Sequence, residues 1–251
     1  MMIMSSGALL TREAGEGPVE ADYNTFGFDG IDDYIELTSD PSLTLGDGDK
    51  THLVWFKTSS STRQMMFSSG DPVNGPYYEI AVHTGGAVRA YAQANASDTR
   101  AYDTNLTFND NLLHCLVVRW NSYGVFDIDI DGISQSLTAV ATDVITNVAD
   151  GGVTRIGNRD YTTTLEFNGS LTYPIIWDRT LTNTEVSNLY NSGKTPYYET
   201  LPASLKSGNV LALELSSRDA TANDLSGNGN NGTKNGGISA DGSLQTFASY
   251  S

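Results

Sequence analysis

The residues of this chain whose types and spacing could do chemistry are carboxylates. Asp29, Asp32 and Asp33 cluster around Gly30 in the run Phe28-Asp29-Gly30-Ile31-Asp32-Asp33-Tyr34-Ile35-Glu36-Leu37. Three carboxylates on one turn can hold a hard cation such as calcium through oxygen ligands. They can equally serve the turn itself through Asx hydrogen bonds. Asp224 lies in a second Asp- and Asn-rich run, 219–231, that carries the same two readings. These four aspartates are the candidate calcium ligands. A third run, Asp127-Ile128-Asp129-Ile130-Asp131-Gly132, has the spacing of half an EF-hand loop. Thr138 stands where that loop needs a bidentate glutamate. Phe126, Ile128 and Ile130 alternate with the aspartates, which is the period of a strand. We therefore read the run as a strand ending in a tight Asp131-Gly132 turn, and place any calcium at 29–33 or 219–231.

Other chemistries find little support. The single cysteine, Cys115, excludes an intrachain disulfide and sits in the apolar run His114–Trp120. Its neighbour His114 would point to the opposite face of a strand, so Cys115 is read as a buried small hydrophobe. His52, His83 and His114 have no metal-ligand spacing. There is no Gly-x-Ser-x-Gly elbow and no phosphate loop. The net charge of −16 and the pI of about 4.3 disfavour nucleic acid and anionic membranes, both of which such a chain would repel. No apolar run is long enough to span a bilayer. The first basic residue, Arg12, follows the mildly apolar start, so the N-terminus reads as a poor secretory signal.

The elements that must position these residues are short strands. Hydrophobic residues make up 39% of the 251 residues, enough for a core, and the 25 glycines and 13 tyrosines fit many strands joined by polar turns. Residues 1–25 show no strand pattern and read as an N-terminal arm. Strand signals follow at Tyr34–Leu37, His52–Lys57, Tyr77–Val82, Ala87–Ala92, Leu113–Trp120, Gly124–Asp131, Thr154–Gly157 and Leu165–Trp177. Gly85-Gly86 marks one hairpin turn. Thr182 and Glu185 form a capping-box pair ahead of Val186, Leu189 and Tyr190, which predicts a short helix over 182–191. A second helical turn is expected near 201–205. Val210–Leu215 is a further apolar strand.

The Phe28–Leu37 run resembles the opening signature of the concanavalin A-like, laminin-G-like jelly-roll domains. The run Phe167-Asn168-Gly169-Ser170-Leu171-Thr172-Tyr173-Pro174-Ile175-Ile176-Trp177-Asp178-Arg179, with Leu181–Val186 and Leu189-Tyr190-Asn191, resembles their closing signature. The resemblance implies an all-β, antiparallel two-sheet jelly-roll sandwich. In such domains a strand followed by a run like Asp224-Leu225-Ser226-Gly227-Asn228-Gly229-Asn230-Asn231-Gly232 normally comes first; here it comes last. It is either a second domain cut short or a circularly permuted strand. We take 26–251 as one jelly roll in which 208–251 supplies the strand that usually leads.

The fold also houses glycoside hydrolases, whose retaining members resemble one another in a Glu-x-Asp-x-x-Glu or Glu-x-Asp-x-Glu strand. That run is missing, and no enzyme activity is expected. The resemblance implies a binding role in one of two settings. The first is a virion structural protein of a phage (capsid decoration, head fibre or tail accessory protein) on the virion surface, with other virion proteins or copies of itself as partners. The second is a carbohydrate-binding lectin module of a cell-surface or secreted, extracellular protein. Cell-surface glycans are the expected ligand class in both, with Tyr77, Tyr78, Tyr91, Tyr102, Tyr123 and Tyr161 as candidate sugar platforms. Calcium is the one cofactor anticipated.

Overall fold

Alternation of apolar side chains sets which face each strand buries, and here it separates two kinds of sheet. The computed structural model describes residues 26–240 apart from 74, 122–123, 125, 146–147, 149–151, 160–164, 192–197, 199–200 and 215–219. The arm expected over 1–25 lies outside the described residues. In chain order the strands are β1 (Phe26–Asp29), β2 (Tyr34–Leu37), β3 (Lys50–Lys57), β4 (Gln64–Gly70), β5 (Tyr77–Val82), β6 (Ala87–Gln93), β7 (Thr99–Thr107), β8 (His114–Trp120), β9 (Phe126–Ile130), β10 (Ile133–Ser134), β11 (Leu137–Thr142), β12 (Thr154–Ile156), β13 (Asn168–Trp177), β14 (Asn209–Glu214), β15 (Thr221–Asp224), β16 (Gly232–Asn235) and β17 (Ser239–Ala240). Two helices, α1 (Asn183–Asn191) and α2 (Ala203–Lys206), follow β13.

One sheet runs β10-β9-β8-β3-β13, with β1 and β14 sharing the far edge of β13 and β17 beside β1. The other runs β11-β7-β6-β5-β4-β12-β2-β16-β15. Every pairing is antiparallel. β14 joins the two sheets, since Ala212 pairs with Ile175 of β13 and Leu213 with Asp224 of β15. This is the two-sheet jelly-roll sandwich the sequence implies.

The first sheet is apolar on both faces. Val54, Phe56, Leu116, Val118, Leu171 and Ile176 point between the sheets. Leu53, Trp55, Cys115, Val117, Ile175 and Trp177 point the other way, into a second core closed by Leu181, Val186, Leu189 and Leu205. Each such side chain, fully buried, stabilises the fold by about 1.5–3 kcal/mol. We call this the covered sheet and its partner the open sheet. α1 is capped as the sequence predicts: Glu185 N–H donates to Thr182 Oγ1 (3.2 Å) and Thr182 N–H to Glu185 Oε2 (2.8 Å). Arg179 grips the same carboxylate, which holds its pKa down at about 2.

A polar chain crosses the main core. Trp120 Nε1–H donates to His52 Nδ1 (3.1 Å), His52 Nε2 lies 3.2 Å from Tyr78 Oη, and Tyr78 O–H donates to the Leu43 carbonyl (3.1 Å). Every donor has an acceptor only if His52 is neutral with its proton on Nε2. Burial, helped by Lys50, pushes the His52 pKa down to about 3.

Two outcomes test this architecture. Removing everything after Gly193 deletes β14–β17, exposes the edge of β13 opposite β3, and leaves β2 without β16; the truncated chain should aggregate or melt well below the full-length protein in calorimetry. The second concerns pH. The unfolded chain protonates His52 below about 6.5 and the folded chain only near 3, so this contribution is complete above 6.5 and is lost as pH falls through that window. Urea unfolding at pH 7, 5 and 4 should show stability falling more steeply in the wild type than in His52→Gln.

Candidate functional site

Three places gather polar chemistry. The first is the β1–β2 connection. Gly30 takes φ +76° against the Asn168 side chain, where a Cβ would come within 2.9 Å of Asn168 Cβ. Asp29 Oδ1 accepts from Ile31 N–H (2.8 Å), an Asx turn. Asp33 is buried, and its two oxygens accept from Asp29 N–H (2.8 Å) and Gly237 N–H (2.5 Å). Burial raises its pKa against those two hydrogen bonds, and the neighbouring charges of Asp29 and Asp32 raise it further. One carboxylate oxygen from each of Asp29, Asp32 and Asp33 lies within 4.8 Å of the others, a spacing that a hard cation could span.

Asp224 lies outside that group. Its carboxylate organises the 224–230 turn, accepting from Ala212 N–H (2.9 Å), Ser226 N–H (3.0 Å), Ser226 O–H (2.8 Å) and Asn230 N–H (2.9 Å). The Asp127–Asp131 run is a strand and a turn, as its alternation predicts. Asp131 at φ +55° and Gly132 at φ +76° make the tight hairpin, with Ile130 opposite Ile133. The three carboxylates are engaged by protein partners: Asp127 and Asp129 share Arg119, while Asp131 accepts from Cys115 N–H (2.9 Å) and bonds His114.

The second place is His114. Its Nδ1 is 2.8 Å from Asp131 and its Nε2 is 3.0 Å from Asp110. Two carboxylate partners demand two N–H groups, which only the imidazolium has. Burial opposes the charge, but the bonds to Asp131 and Asp110 outweigh it and the pKa is raised. Cys115 is buried on the other face, where burial pushes its thiol pKa up and keeps the thiol protonated.

The third place is the outer face of the open sheet, which the period-2 pleat assembles from residues far apart in sequence. One row crosses seven strands as Ala101, Tyr91, Glu79, Ser68, Arg155, Glu36 and Thr233. Alongside it, Tyr77 faces Gln93, and Arg89 faces Asp103. Glu79 is buried and accepts from Tyr77 O–H (2.7 Å) and from Arg63. Arg89 makes a bidentate pair with Asp103 (2.6 and 2.8 Å), and Arg155 pairs with Glu36 (2.7 Å) beneath the Tyr34 ring. Tyr91 is half-buried; its ring packs on Tyr77 (6.1 Å between centroids) and its hydroxyl donates to Gln93 Oε1 (2.7 Å).

Of the six tyrosines singled out in sequence, Tyr77 and Tyr91 stand on this face, and Tyr78 and Tyr102 face the core. Tyr123 and Tyr161 lie outside the described residues. Sequence reasoning missed Arg89, Asp103, Arg155 and Glu36, although Arg89-Ala90-Tyr91-Ala92-Gln93 alternates plainly enough to have placed three polar groups on one face.

A family model described as concanavalin A-like lectin/glucanases superfamily matches residues 29–187. The chain belongs to this superfamily. β14–β17 lie beyond the matched residues. No curated protein matches the chain. Among solved structures it is similar to a putative carbohydrate binding protein from Bacteroides ovatus, with a TM-score of 0.61 at 13% identity over 86% of this chain and 58% of that one. It is also similar to the native heptameric SAP-like pentraxin of Limulus polyphemus, with a TM-score of 0.51 at 17% identity over 66% and 81%. A third is domain 4 of an extracellular arabinanase from Geobacillus stearothermophilus, solved in complex with arabinotriose, with a TM-score of 0.51 at 16% identity over 68% and 80%. At these identities the shared property is the lectin-like jelly-roll fold.

The acidic loop yields a separable outcome. Asp33→Ala leaves two N–H groups without their acceptor and should lower the unfolding free energy by about 1–3 kcal/mol. Exposed Asp32→Ala should stay within about 0.5 kcal/mol of wild type in the same urea titration.

Proposed function

We propose that this chain is a non-catalytic glycan-binding module whose sugar site is the outer face of the open sheet around Tyr91. The observation that carries the reading is the half-buried Tyr91 ring two residues along β6 from Arg89, which makes a bidentate pair with Asp103 of the adjacent β7. A sugar needs an apolar platform for its C–H face and fixed donors and acceptors for its hydroxyls. The Tyr91 ring, held by Tyr77 and Gln93, supplies the first. Arg89 and Asp103 supply the second, already oriented by their mutual bonds. The Geobacillus domain solved with arabinotriose is a fold neighbour in keeping with this reading.

The two glutamates of this face, Glu79 and Glu36, argue for binding over hydrolysis. Glycosidase pairs stand about 5–9.5 Å apart. Glu79 and Glu36 are three strands apart, roughly 14 Å by strand spacing, and each is engaged by an arginine. Calcium, as the companion ion, is assigned to Asp29, Asp32 and Asp33. The strand order is read as circularly permuted, with β14 taking the place of the strand that usually leads. The lectin module of a secreted or cell-surface protein is the setting adopted. Carriage on a phage virion, facing other virion proteins, would use the same face.

A glycan array followed by calorimetry tests the site. Tyr91→Ala and Asp103→Ala should each cost at least about tenfold in affinity, roughly 1.4 kcal/mol. The titration is repeated with calcium and with a chelator; calcium-dependent binding that Asp32→Ala abolishes places the acidic loop in the site. A folded chain that binds no glycan on the array overturns the reading.

A further inference from the structure

We propose that β11 is a self-pairing edge through which two copies of this chain form a twofold dimer. β11 ends the open sheet. Among the described residues its backbone pairs only with β7, so its outer row of N–H and C=O groups faces away from the sheet. The strand is also wet on its faces: Thr138, Ala139, Val140 and Thr142 are exposed, and Leu137 and Ala141 are half-buried. Edges of this kind are usually blunted by lysine, proline, charge or a covering segment. The ten residues Ile133–Thr142, Ile-Ser-Gln-Ser-Leu-Thr-Ala-Val-Ala-Thr, contain no charge and no proline. The one blunting device is a bulge between Ala139 and Ala141.

The surface around the strand is apolar as well. Leu106, Ile133, Val140 and Val144 are four of the seven large hydrophobics exposed among the described residues, at 63%, 66%, 51% and 71%. They belong to one region: Ile133 precedes β11, Val144 follows it, and Leu106 adjoins it through Asn105, whose N–H donates to the Ser136 carbonyl (3.0 Å). Isolated exposed hydrophobics mean little, but a run of them along an open edge marks an interface.

Charge and symmetry select a second copy as the occupant. With a net charge of −16, two copies repel over most of their surfaces. The uncharged Ile133–Thr142 stretch is where they can touch without bringing carboxylates together. Antiparallel pairing of one strand with itself is isologous, so it needs no second complementary surface. Centred between Ala139 and Val140, it sets Leu137 against Thr142 of the other copy and Val140 beside its own twofold mate. Six residues a side with three flanking hydrophobics fall short of the roughly 1,600 Å² of a standard interface, so the dimer should be a weak one.

Sedimentation equilibrium of the full chain from about 1 to 100 μM tests this, a range suited to micromolar affinity. The wild type should pass from monomer to dimer. Val140→Asp and Val140→Lys each place two like charges at the axis. Both should remain monomeric to the top of the range and keep the wild-type melting temperature. Val73→Asp, at an exposed hydrophobic outside this edge, should dimerise as wild type does. In hydrogen exchange, amides of 137–142 should slow as wild-type concentration rises. A wild type that stays monomeric throughout, or a dimer that survives both Val140 variants with concentration-independent exchange at 137–142, overturns self-pairing. The first result would leave the edge to a different protein partner.

Discussion

The structure turns on a break in one strand. β13 lies inside the covered sheet, with β3 along one side at Ser170–Thr172 and again at Ile175–Trp177. On the other side its first half pairs with β1 and its second half with β14. The change of partner falls at Tyr173-Pro174. Tyr173 takes φ +50°, a region a bulky residue rarely adopts, and Pro174 has no N–H to give to a ladder. The register against β3 shifts across the same residues, between Thr172 and Ile175. One bulged strand therefore holds the first described strand, β1, and the late strand β14 end to end along one edge. β14 goes on to β15 and turns the corner into the open sheet, so the two sheets are joined through this point.

Burying both faces of the covered sheet has consequences for where function can sit. Its outer side is occupied by α1, α2 and the second core, and its polar groups there are structural: Arg119 links Asp129 to Asn183 and the Leu181 carbonyl, and Trp177 Nε1–H donates to Leu205 O. His52, which lone-histidine reasoning could have offered as a ligand, is consumed by the Trp120–His52–Tyr78–Leu43 chain between the sheets. Among the described residues no helix covers the outer face of the open sheet. Its outer face can carry ion pairs and aromatic rings at the surface, and its last strand, β11, ends in solvent. The proposed glycan site and the proposed self-pairing edge are neighbours on this sheet, since Asp103 of β7 pairs with Thr138 of β11.

The acidic loop shows how turn chemistry and metal chemistry overlap. Asp33 is committed to backbone N–H groups of β1 and of the turn after β16, and Gly236 is required there because a Cβ would lie 2.4 Å from Asp33 Oδ1. That leaves Asp29 and Asp32 as the exposed carboxylates of the group. The same economy holds at Asp224, whose four hydrogen bonds shape a turn. Carboxylate-rich runs in this chain are first of all devices for folding loops without a disulfide.

The sequence by itself determined the elements whose signals are local. The central strands of the covered sheet, β3, β8 and β13, are legible because two-sided burial makes them largely apolar, and α1 because its capping box and helical spacing lie within a few residues. The Asp131-Gly132 hairpin was legible for the same reason. β7, Thr-Arg-Ala-Tyr-Asp-Thr-Asn-Leu-Thr, and β11 were not, since a strand near a wet edge has little apolar alternation to reveal it. β13 starts at Asn168, not Leu165, because Gly157 and Met65 already engage the backbone of 165–167. What only the tertiary structure decided is which of the six tyrosines face solvent, which arginine meets which carboxylate across strands, and the register in which β14, β16 and β17 pair with β13, β2 and β1. These depend on register between segments up to two hundred residues apart. Register is set by the packing of whole faces, which no local stretch of sequence contains.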